Sequence, residues 1–125
     1  MLRKALERDL QRLQDEVVLM ASMVTRAMRE AVSALQRQDL VAAERIIAGD
    51  REINRKRFDT ESDVLVLIAT QQPMAGDLRI LAAVLEIVTE LERMGDYAKG
   101  IAKIVQMMGS EPPIKPLVAI PRMAD

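Results

Sequence analysis

The chain has 125 residues, a length that suits one domain. Half of them are apolar and only Phe58 and Tyr97 are aromatic, so the core is aliphatic, drawn from Leu, Ile, Val, Ala and nine Met. That palette is typical of helical bundles. Its 18 basic and 19 acidic residues leave a net charge of −1, which argues against nucleic-acid binding driven by bulk charge.

Cysteine and histidine are absent. Disulfides, thiolate or imidazole metal sites, the Glu-x-x-His sets of ferritin-like enzymes and Ser-His catalysis are therefore excluded. Any metal must be held by oxygen, which favours hard or borderline cations. The first apolar residues are interleaved with Arg3, Lys4, Glu7, Arg8 and Asp9, unlike a signal peptide. The longest clean apolar run, residues 64–69, is far short of a membrane span. The reading is a cytoplasmic protein.

In chain order, the first predicted helix covers residues 2–38. Leu6, Leu10, Leu13, Val17, Met20, Val24, Ala27, Ala31 and Leu35 step by four and three, a heptad seam. Met23, Met28 and Val32 widen it into a face, while Arg3, Glu7, Gln14, Arg29 and Gln36 fall on the solvated side. Asp39 is placed as the N-cap of a second helix over residues 40–70. Heptad steps from Leu40 give Ala43, Ile47, Asp50, Asn54, Arg57, Glu61, Val64 and Ile68, apolar at the ends and polar in the middle. Either the helix turns Asp50 and Asn54 to water, or the polar centre has a purpose.

Pro73 ends that helix, and a third is expected over residues 74–108. Asp77 falls in its first turn, where a negative charge suits the helix dipole. Short turns near residues 39 and 73 make the neighbours antiparallel. The expected fold is all-α, an elongated up-down-up three-helix bundle over residues 1–109. Residues 110–125, with Pro112, Pro113 and Pro116, read as a proline-rich linker and the start of an incomplete fourth helix.

The third helix holds the feature that needs a reason. Its apolar seam reads Leu78, Leu81, Leu85 and Val88, and the next seam position is Glu92, with Asp96 one turn on. A carboxylate on a core face needs a cation or a metal. The pair reads either as two oxygen ligands for a metal or as an ordinary solvated face with Arg93 as counter-charge. Gly95 beside it removes a side chain and lets a backbone or ligand come close. Met20, Met23, Met28, Met94 and Met107 are most simply core filler. No nucleophile–base pair presents itself.

Three stretches carry a resemblance: A-T-Q-Q-P-M-A-G-D-L-R (residues 69–79), T-E-L-E-R-M-G-D-Y-A-K-G-I-A (residues 89–102) and A-L-Q-R-Q-D-L-V-A-A-E-R-I-I-A-G-D-R-E-I-N (residues 34–54). Together they closely resemble the PhoU family of phosphate-signalling regulators. The resemblance implies two tandem three-helix bundles, six helices in all, of which this chain holds one half. It implies an acidic E/D-x-x-x-D motif in each bundle, carrying iron, zinc or another divalent cation in some members. Glu92 and Asp96 match that motif; Asp50, Asp77 and Glu90 match acidic positions around it. Asn54 stands where a second motif beginning at Asp50 would need Asp. The implied role is a non-enzymatic adaptor that restrains phosphate uptake and the phosphate-starvation response, coupling a phosphate-specific ABC transporter to a sensor histidine kinase.

A lone bundle leaves its twin-packing face uncovered, which predicts a homodimer. Two other readings stand beside the adaptor. One is a metal-free helical dimerisation module, the other a carboxylate di-metal enzyme, against which the missing histidines tell.

Overall fold

A computed structural model describes residues 2–109. They form α1 (Leu2–Arg37), α2 (Leu40–Gln71) and α3 (Ala75–Gly109), matching the expected helices to within one residue at every end. The expected linker and fourth-helix start, residues 110–125, lie outside the described residues. Both turns are short because the residue after each helix takes a left-handed conformation: Gln38 at φ 54° and Gln72 at φ 46°. Asp39 caps α2 as expected, accepting a hydrogen bond from Ala42 N at 3.0 Å, a contact worth about 1 kcal/mol.

Each helix packs on both others, and the core falls into two clusters. Leu6, Leu10 and Leu13 of α1, Val64 and Leu67 of α2, and Leu81, Val84 and Val88 of α3 gather with Met20, Val24 and Ile53. Ala31 and Ala34, Ala42, Ala43 and Ile46, and Ala98, Ala102 and Val105 form the other. The start of α1 thus meets the end of α2 and the start of α3, which is the up-down-up bundle. The alanine-rich end lets the helix axes come close, since interaxial distance follows the size of the contact side chains.

The α1 seam matches the expected one closely, although Val32 is 42% exposed. The other two seams differ in phase. In α2 the buried positions are Ala42, Ala43, Ile46, Asp50, Ile53, Thr60, Val64 and Leu67, while Leu40 and Ile68 are exposed. In α3 they are Asp77, Leu81, Val84, Val88, Gly95, Ala98, Ala102 and Val105. Leu78 is exposed and Glu92 is a flank residue, because a helix with two neighbours buries an arc centred between them and small residues can fill it. Met94 and Met107 are exposed, so they are not core filler.

At Gly95, in the middle of α3, α2 comes close. A Cβ there would stand 3.3 Å from Ile53 Cγ2 and 3.6 Å from Asp50 Oδ1, whereas at Gly100 it would meet nothing within 4 Å. Gly95→Leu therefore destabilises the bundle by about 1–3 kcal/mol through overpacking. Gly100→Ala stabilises it by about 0.5–1 kcal/mol through helix propensity. Urea unfolding of the two variants checks this; equal responses would mean that α2 does not press on Gly95.

Candidate functional site

The acidic residues singled out from the sequence do not converge on one point. Glu92 is the best covered member of its pair, with a side chain 19% exposed, while Asp96 is exposed. Glu92 Oε2 forms an ion pair with Arg57 Nη1 of α2, 2.9 Å away. The same guanidinium donates from Nε to Glu61 Oε1 at 2.8 Å. One cation thus bridges carboxylates on two helices. Its hydrogen bond to Glu61, with the charges of Glu61 and Glu92, holds the Arg57 pKa above its ordinary value against the opposing effect of burial.

Asp50 is buried on the inner face of α2, so the reading that turned it to water is corrected; Asn54 is exposed. Asp50 Oδ2 accepts from Asn54 Nδ2 at 3.0 Å and lies 3.5 Å from Lys99 Nζ of α3. Its Oδ1 is buried without a hydrogen-bond partner, facing the space left by Gly95. Such an acceptor is costly to leave unmet.

Asp77 stands at the other end of α3. Its Oδ2 accepts from Met74 N at 3.1 Å, half of a capping box, and from Arg3 Nη1 of α1 at 2.6 Å. Both the dipole reading and a tertiary role hold, since the carboxylate caps α3 and anchors α1. Close by, Gln71 donates to Asp9, tying α2 to α1. Glu90 is exposed and pairs with Arg93.

Iron or zinc on oxygen ligands needs several carboxylates converging. Among the described residues no three acidic side chains are grouped to hold a metal ion. The covered carboxylates are met by the chain's own cations. The residues that sequence reasoning passed over are Arg57, Glu61 and Lys99. The i,i+4 spacing of Arg57 and Glu61 is the signal that could have found the first pair.

The family model described as "PhoU domain" matches residues 17–105, well over half of the chain. The chain belongs to the PhoU family. It is 39% identical over 118 residues to the phosphate-specific transport system accessory protein PhoU homolog of Aquifex aeolicus, an alignment covering 94% of this chain and 53% of that one. The homolog of Clostridium acetobutylicum is 41% identical over 112 residues, 89% of this chain and 51% of its own. PhoU of Escherichia coli is 33% identical over 95 residues, 76% and 39%. The chain spans about half the length of the curated relatives it matches most fully. No helix among the described residues is long and apolar enough to cross a membrane.

The Arg3 hydrogen bond, with that of Met74 N, holds the Asp77 carboxyl below the usual range although its burial acts the other way. A folded-state pKa below the unfolded one contributes stability above the unfolded value and loses it as pH falls through the folded one. Asp77→Asn therefore lowers the midpoint of thermal unfolding at neutral pH, and its gap from wild type closes as pH drops below about 4. A gap independent of pH would mean that the Asp77 charge contributes nothing.

Proposed function

We propose that this chain is a PhoU-type accessory adaptor that restrains phosphate uptake and phosphate-starvation signalling in the cytoplasm. Its partners on this reading are a phosphate-specific ABC transporter and a sensor histidine kinase, and it catalyses no reaction. The observation that carries the reading is the family match across residues 17–105, joined to relatives named as accessory proteins of the phosphate-specific transport system. The charge chemistry agrees with it, because the covered carboxylates are used in holding helices together.

The adaptor works as a homodimer. Ile87, Met94, Tyr97 and Ile104 are exposed on α3, and with Ala83, Ile101 and Met108 they mark a second heptad seam, interrupted only by Glu90. A seam of this kind suits another helix at a shallow left-handed crossing. Glu86 and Glu90 fall in its first half and Lys103 in its second, with no acid within α3 after Asp96. Two copies crossing antiparallel about a two-fold axis set opposite charges together; a parallel crossing sets like against like.

Light scattering at micromolar concentration is expected to give twice the 14.0 kDa chain mass, and Ile87→Glu with Ile104→Glu the single mass. A stable wild-type monomer would refute the dimer. For the regulatory role, a bacterium lacking its own PhoU-type protein takes up labelled phosphate too fast under phosphate excess, and expressing this chain slows it severalfold. Unchanged uptake with soluble, dimeric protein would remove the adaptor reading.

A further inference from the structure

The acidic motif and the structure around it point in different directions. The motif reads as metal ligands, yet each covered carboxylate on the α2–α3 face already has a cation of this chain against it. Arg57 lies between Glu61 and Glu92, where a divalent cation shared by two helices would stand. Lys99 stands against Asp50. The two cross-helix pairs lie one heptad apart on both helices, Arg57 with Glu92 and Asp50 with Lys99, and their polarity is reversed. Arg57 is the better placed of the two cations. Its planar fork serves both carboxylates at hydrogen-bonding distance, and a guanidinium stays charged at any physiological pH.

We infer that Arg57 is a resident counter-cation that closes the Glu61–Glu92 pair to divalent metal, with Lys99 doing the same for Asp50. Metal and guanidinium compete for the same oxygens. A metal that takes Glu92 Oε2 displaces Arg57 from it and must then compensate Glu61 as well. Asp96, exposed one turn from Glu92, is placed to supply a further oxygen once Arg57 has left. The unpartnered Asp50 Oδ1 shows where this internal compensation is incomplete: a single ammonium 3.5 Å from the other oxygen leaves one acceptor without a donor. The inference does not depend on the adaptor reading, since it concerns which cation the carboxylates hold and not what the bundle binds.

The test uses the full chain, purified without an affinity metal, and Mn²⁺ as the probe. Free Mn²⁺ is followed by electron paramagnetic resonance and the fold by circular dichroism. Wild type is expected to leave the free Mn²⁺ signal undiminished at concentrations where Arg57→Gln sequesters the ion. The gain in apparent affinity is at least about tenfold, equivalent to roughly 1.4 kcal/mol. Adding Glu92→Gln to Arg57→Gln abolishes the gain, and Arg57→Lys, which keeps a cation in place, shows little of it. Mn²⁺ raises the melting temperature of Arg57→Gln and leaves that of wild type unchanged. Folded Arg57→Gln that gains no Mn²⁺ binding would overturn the inference. So would wild type that binds Mn²⁺ and loses it on Glu92→Gln, an arm that does not require the Arg57 variant to fold.

Discussion

The bundle depends on how closely α2 and α3 approach at Gly95. With almost no aromatic volume available, an aliphatic core gains its contacts by bringing helix axes together. Gly95 permits this in the middle of the molecule, with Ile53 of α2 set against it. Towards one end Ala98 and Ala102 continue the same narrow seam against Ala42 and Ala43; towards the other Val88, Val84 and Leu81 widen it. A larger residue at the pivot would separate the helices over both clusters.

Close approach fixes distance but leaves sliding open, because alanine and valine seams look alike after a shift of one heptad. The reversed ion pairs resist that shift. Arg57 faces Glu92 and Asp50 faces Lys99, so sliding α3 by one heptad sets Arg57 against Lys99 in one direction and Asp50 against Glu92 in the other. The correct register joins opposite charges and both neighbouring registers join like ones, a use of charge that specifies structure more than it adds stability. Each pair alone is worth about 1 kcal/mol at this exposure, but a slip also forfeits the pairs it breaks. At the end of the bundle Arg3–Asp77 and, at mid-length, Lys56–Glu16 secure α1 in the same manner.

The helices and their order were legible because apolar spacing, Asp39 and Pro73 act locally. The α1 seam was legible because its inner positions are large aliphatic residues. The phase of α3 was not: Asp77 and Gly95 hold inner positions that a count of apolar residues passes over, and Leu78 and Met94 are outer residues that such a count takes in. The site was legible in its acids and illegible in its cations. Asp50 and Glu92 stand out by position in a seam. Arg57 and Lys99 reach partners on another helix through long flexible side chains, and the i,i+4 spacing that announces Arg57–Glu61 says nothing of those cross-helix partners. The acidic motif that the family resemblance pointed to directs attention to carboxylates in the same way, and says nothing of what this chain sets against them.

Internal neutralisation also bears on what remains for binding. With Glu92, Asp50 and Asp77 engaged inside the bundle, these acids are not free to recruit a partner. The exposed outer seam of α3 is different in kind. Its isoleucines, methionine and tyrosine remain in water in the lone bundle, and the heptad spacing that organises the core organises them too. A sequence under no demand to cover that seam would have little reason to keep it apolar over so many turns, since solvated helix faces tolerate charge readily. The same three-residue and four-residue steps that close the bundle thus also run along the exposed outer side of α3.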